Sequence, residues 1–164
     1  HSCKREDIFL SPEKLFFRRV SNSLIATLDD QKFYALNTLI VMNKKTAVNL
    51  NIRYFLAIFN SKLMNYYYQT FLKSTKHVFS EIQARQIKNL PIPVNSEYET
   101  PLINLVNKLL SLNKHLAEFG DKQTDERTKL EKEISELDHK IDELVFDLYG
   151  LSAEERKIVE EAVK

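Results

Sequence analysis

The sequence predicts an α+β fold: a small mixed or antiparallel sheet domain with a packed helix, then an antiparallel coiled-coil helical hairpin and a short C-terminal helix. Three observations predict it. Short runs rich in β-branched and aromatic residues, broken by polar turns, fill residues 15–42. Apolar residues then switch to three- and four-residue spacing. Two heptad stripes, interrupted at Gly120, fill the last third of the chain.

Taken in order, Leu15–Val20, Leu24–Leu28 and Phe33–Met42 read as strands. The breaks at Ser21-Asn22-Ser23 and Asp29-Asp30-Gln31-Lys32 are short enough to join neighbouring antiparallel strands. From Asn51 to about Leu72 the spacing of Ile52, Phe55, Phe59, Leu63, Tyr66 and Tyr67 predicts one amphipathic helix, capped by Asn49 or Asn51. The Tyr66-Tyr67-Tyr68 run reads as packing. Prolines at Pro91 and Pro93 forbid a helix, so the segment after Ile87 reads as an extended edge strand. That segment marks the expected division into a front domain, residues 1–97, and a rear helical unit, residues 98–164.

Thr100-Pro101 reads as the start of the first long helix. Leu102, Leu105, Leu109, Leu112, Leu116 and Phe119 form its stripe, and Leu130, Ile134, Leu137, Ile141, Leu144 and Leu148 form the next. The short break between them favours a hairpin over a long coiled coil to another chain. Gly150 ends the second helix, and Ser152-Ala153-Glu154-Glu155 reads as a capping box opening a third.

Hydrophobic residues make up 43% and charged residues 29%, an ordinary globular composition. No apolar run reaches membrane-spanning length. The lone Cys3 forms no internal disulfide, which fits a reducing cytoplasm, and the opening His1-Ser2 without a methionine suggests an excised fragment or a tag remnant. The net charge of +1 conceals a split: residues 1–97 hold 14 Lys/Arg against 7 Asp/Glu, and residues 98–164 hold 10 against 16. A basic front on an acidic rear is the pattern of a polyanion-binding module on a solvated stalk.

Catalytic chemistry is not expected in this chain. Its two glycines, Gly120 and Gly150, make no phosphate cradle. His1, His77, His115 and His139 lack metal-ligand spacing. Asp29-Asp30 reads as a turn rather than a catalytic pair, and no aspartate- or asparagine-proline-proline-tyrosine motif for a flipped adenine occurs.

Four stretches carry a family likeness: Arg18 to Tyr34 with Leu36-Asn37-Thr38-Leu39; Tyr54 to Leu63 with Tyr66-Tyr67-Tyr68; Ile82 to Pro93; and the ending Leu144 to Leu151. Together, in this order, they resemble the TaqI-like C-terminal specificity domain. That family sits at the C-terminus of bacterial type IIG restriction-modification enzymes and adenine-N6 DNA methyltransferases, and is related to type I specificity subunits. The resemblance implies a module that reads a short duplex sequence while a methyltransferase or nuclease domain acts nearby. S-adenosylmethionine and Mg2+ would serve those partner domains. In type I specificity subunits the long helices set the spacing of recognition domains and dock methyltransferase subunits, which makes protein docking the alternative role.

Phosphate contacts should supply affinity and a few side chains at base edges specificity. The basic candidates are Arg18, Arg19, Lys32, Lys44, Lys45, Lys73, Lys76, Arg85 and Lys88, joined by His77 and Gln83. Lys73 to His77 and Ser80 to Arg85 look like recognition loops between ordered elements. Gln83 and Arg85, two apart, would share a face if extended.

Overall fold

The computed structural model describes residues 5–73, 81–120 and 122–163. β1 (Lys14–Arg18), β2 (Ala26–Asp29) and β3 (Leu39–Met42) form one antiparallel sheet in the order β2-β1-β3. Lys14 stands opposite Asp29 and Phe17 opposite Ala26; on the other side Leu15 stands opposite Met42 and Arg18 opposite Leu39. β1 takes the centre because four of its five residues are buried, and a central strand is covered on both edges and both faces. Side chains alternate along it. Phe17 meets Phe59 edge-on at 5.0 Å, so Leu15 and Phe17 face the helices, while Lys14, Phe16 and Arg18 line the opposite face.

This arrangement departs from the sequence expectation twice. The third strand is only Leu39–Met42, not Phe33–Met42, and residues 30–38 form a loop. Asp29 causes the break: its carboxylate accepts the N–H groups of Gln31 (2.9 Å) and Phe33 (3.0 Å), and Lys32 between them takes a left-handed φ of 58°. That local bonding draws the backbone out of the ladder. Nor do β2 and β3 pair as neighbours, because the nine-residue loop carries the chain across the sheet to the far side of β1.

The expected single helix over residues 51–72 is divided. α1 (Ile52–Asn60) is capped by Asn51, which accepts from the Arg53 N–H at 2.9 Å. Ser61 then turns extended and caps α2 (Lys62–Tyr67) by accepting from the Met64 N–H, and Tyr68–Leu72 winds as a π-helical turn. The apolar face runs through the break, so its periodicity conceals it. Tyr68 is fully buried and Tyr66 and Tyr67 are half-buried, as packing requires. Asn60 and Asn65 then bond α1 and α2 to β2 and to the segment leading into it. Asn60 accepts the Ala26 N–H at 2.8 Å and donates to the Ala26 carbonyl at 2.9 Å, standing in for a fourth strand on the free edge of β2. Asn65 accepts the Leu24 N–H at 2.7 Å.

The expected edge strand near Pro91 and Pro93 is absent among the described residues. A short helix, α3 (Ala84–Lys88), precedes those prolines, with the Gln86 side chain accepting the Gln83 N–H at 2.7 Å. Ile87 and Leu90 anchor it in the core.

α4 (Ser96–Glu118) starts earlier than the expected Thr100-Pro101 and holds Pro101 inside its second turn. Asn95 caps it, and Glu99 accepts the Asn51 N–H at 2.7 Å, tying its first turns to the head of α1. These bonds extend the helix back past the proline, whose missing N–H removes a single intrahelical bond. α5 (Asp125–Tyr149) returns alongside α4, with Lys108 paired to Glu133 at 2.8 Å. Gly120 and Gly150 adopt positive φ at the two helix ends, where a side chain would be strained. Ser152 and Glu155 form the expected capping box of α6 (Ala153–Ala162).

The heptad positions Leu137 and Ile141 are buried, but Val106, Val145 and Phe146, outside the stripes, are buried at least as deeply. The hairpin's root packs on α1 and α2 as well as on itself. Leu102, Val106, Ile141 and Val145 join Leu15, Phe17 and Ile58 in one cluster. Leu109 and Ile141 therefore serve this shared core.

Candidate nucleic-acid interface

The end of β1 at Arg18 is where sequence-distant candidates meet. Beyond it, Val20 bridges Glu81, and the Ile82 N–H donates to the Arg19 carbonyl at 2.7 Å. The Gln86 side chain donates to the Leu72 carbonyl at 2.5 Å. These bonds bring Arg18, Lys73, Gln83, Arg85 and Lys88 to one end of the sheet. Gln83 and Arg85 do not sit on an extended strand as expected: Gln83 caps α3 and Arg85 lies inside it, so the shared face argued from alternation does not apply. Lys32, Lys44 and Lys45 gather at the opposite end, beyond Asp29 and Met42. Lys76 and His77 lie outside the described residues.

Ion pairing sorts the candidates further. In the front half Arg5 pairs with Asp7, Lys14 with Asp29, Arg53 with Glu13, and Arg19 with Glu81 at 3.1 Å. Arg19 also donates to the Asn37 carbonyl, so its guanidinium braces the 30–38 loop and is less available than the sequence suggested. By contrast Arg18, Lys32, Lys44, Lys45, Lys73, Arg85 and Lys88 make no ion pair among the described residues. All are exposed except Lys73, which is half-buried.

The adjacent carboxylates at the base of the loop have separate roles. Asp29 is buried against Lys14, and Asp30 is exposed and accepts from the Gln31 side chain at 2.8 Å. Burial alone would raise the Asp29 carboxyl. Hydrogen bonds from Lys14 and the loop N–H groups, together with the Lys14 charge, outweigh it and hold the group below the usual aspartate range.

Signals missed in the sequence lie on the loop itself. Phe33, Tyr34 and Leu36 are 63%, 56% and 81% exposed. Their apolar character predicts a strand; the crossover from β2 to β3 places them in a loop instead.

A separate cleft of about 580 Å3 opens between β2, α1, α4 and α5, with Asp138 and Asp142 in its lining. Those carboxylates make it a poor seat for a polyanion. Asp142 is 5% exposed and accepts the Lys62 N–H at 2.8 Å, with the Lys62 ammonium at 3.8 Å. Burial pushes its carboxyl up, against the opposing pull of Lys62. A raised folded-state pKa contributes stability at low pH that is lost as pH rises through it. Asp142→Asn should therefore melt no lower than the parent at pH 7, with its relative advantage shrinking in acid; a series of melting curves across pH checks this.

Although the histidines lack metal-ligand spacing in sequence, folding places His139, Glu143 and Glu160 with ligand atoms within 4.8 Å of one another. Arg156 already supplies the positive charge there, 2.9 Å from Glu143 and 2.6 Å from Asp147. The trio therefore reads as part of the clasp that holds α6 on α5. No helix among the described residues is long and apolar enough to cross a membrane.

Residues 2–92 match the family model of the TaqI-like C-terminal specificity domain. A Methanocaldococcus jannaschii protein named "Putative type II restriction enzyme and methyltransferase" is 29% identical over 147 residues. The match covers 87% of this chain and 12% of that protein.

Proposed function

Because the chain belongs to the TaqI-like C-terminal specificity domain family, we propose that it reads duplex DNA through its front half for a restriction-modification enzyme. A methyltransferase or nuclease domain, in the same polypeptide or complex, would do the chemistry, and S-adenosylmethionine and Mg2+ would belong there. The reading rests above all on the seven front-half cations that make no ion pair among the described residues. Folding matches the front-half carboxylates largely with other cations and leaves these toward solvent, where they can neutralise phosphates. They fall in two groups beyond the opposite ends of β1, so they would meet phosphates at two separate places on the duplex.

The acidic rear half suits a second task, spacing or docking the catalytic partner, and the exposed charges along α4 and α5 favour protein over DNA there. The division at residue 97 is then one of labour, across a shared core.

Fluorescence anisotropy with a 30-bp mixed-sequence duplex tests the reading. The 164-residue chain should bind at 50 mM salt and much more weakly at 200 mM. Replacing Arg18, Lys73, Arg85 and Lys88 by glutamine should flatten the dependence of log K on log salt by roughly 0.9 for each phosphate no longer neutralised. A parent chain that ignores the duplex even at low salt would remove the proposal.

A further inference from the structure

We infer that the loop of residues 30–38 is an apolar probe that enters a DNA groove and packs Phe33 and Leu36 against bases, an inference resting on the proposed DNA-reading role.

The loop presents large apolar side chains in a fixed frame. Phe33 and Leu36 are 63% and 81% exposed, yet the backbone that carries them is held at both ends. At the start, the buried Asp29 carboxylate accepts the Gln31 and Phe33 N–H groups. At the finish, the Arg19 side chain donates to the Asn37 carbonyl at 3.2 Å and the Arg19 N–H to the Thr38 carbonyl at 3.0 Å. Between them Tyr34 stacks on Phe9 at 5.1 Å and donates its hydroxyl to Glu6 at 2.6 Å. The Leu39 N–H closes a turn on the Leu36 carbonyl at 3.1 Å. Four separate anchors on nine residues make an ordered bracket. Ordering lowers the conformational entropy lost on binding.

Charge selects the occupant. Lys32 sits on the first part of the loop, and Arg18, at the far end of β1, stands opposite Leu39 where the loop rejoins the sheet. After Asp30 the loop carries no carboxylate. An apolar tip framed by unpaired cations fits a polyanion with stacked, apolar faces between its charges, which describes duplex DNA. Apolar wedges that press on or between base steps use this combination, and a protein partner would not require the cationic frame.

The test separates this inference from the DNA-reading role beneath it. Phe33→Ala with Leu36→Ala alters two exposed side chains, so the melting temperature should stay near the parent's. Affinity for the 30-bp mixed-sequence duplex should fall on the order of tenfold, the scale of removing one base-stacking interaction. Because the interaction removed is apolar, the lines of log K against log salt should run parallel for variant and parent. Lys32→Gln with Arg18→Gln should instead reduce the slope. Parent binding with an unchanged affinity for the Phe33/Leu36 variant overturns the probe while leaving the DNA reading in place, and would reassign the loop to a protein contact. Absence of parent binding overturns both.

Discussion

Lys14→Met should lower the unfolding free energy by about 3–5 kcal/mol, the scale of stranding one member of a buried ion pair. Lys14 is completely buried, its ammonium paired with Asp29 and donating to the Phe9 carbonyl at 2.8 Å. Without it the Asp29 carboxylate stays in the same desolvated place with no counter-charge. The carboxylate also caps Gln31 and Phe33, so the loss should spread into the 30–38 loop and the Phe9–Tyr34 stack. The pH dependence gives an independent check. A carboxyl held below its ordinary value contributes stability that is complete above about pH 4, near the unfolded pKa, and lost as pH falls through the folded one. Parent and variant should thus differ most at neutral pH and converge in acid. Denaturant titrations at several pH values measure the gap; a constant gap would contradict the role assigned to the pair.

Asn65→Ala should cost about 2–4 kcal/mol, of which a stranded Leu24 N–H accounts for about 1–3. Asn65 is 6% exposed; it accepts that N–H at 2.7 Å and donates to the Ser61 carbonyl at 3.2 Å. Alanine removes the bond from α2 to Leu24, in the segment that leads into β2. Asn65→Asp discriminates hydrogen bonding from mere volume: it keeps the acceptor but buries a charge, so it should be unstable at neutral pH and recover partly in acid. Equal stability of the alanine variant and the parent would show that water replaces the amide.

The α+β class, the hairpin and the C-terminal capping box were legible because each rests on local chemistry: a β-rich run, a heptad stripe, Ser152 three residues before Glu155. What escaped depended on polar side-chain bonds that leave the hydrophobic pattern unchanged, or on bonds between distant residues. Ser61 interrupts a helix whose apolar stripe continues unbroken, since its cap needs no change in hydrophobic pattern. Phe33 and Leu36 look like strand residues until Asp29 is seen turning the backbone away. Pro101 looked like a first helical residue because the contact that extends α4 backwards, Glu99 to Asn51, spans 48 positions. For the interface, composition identified cations, but only folding shows that Arg19 is engaged with Glu81 while Arg18 beside it is free of ion pairs. Asn60 and Ser61, within a stretch that carries the family likeness, prove to hold strand and helix together.

The strand order β2-β1-β3 has a consequence for how such a chain can change. A tight hairpin turn couples its length to strand register, so an inserted residue there threatens every pairing beyond it. Here β2 and β3 each take their register from β1, and the segment joining them contributes no ladder bond between the two. Its entropic cost grows slowly, by about 0.6 kcal/mol per doubling of length. Residues can therefore be added or removed between the Asp29 and Arg19 anchors while the sheet keeps its alignment, leaving an exposed stretch of the front half open to rapid divergence without loss of the fold.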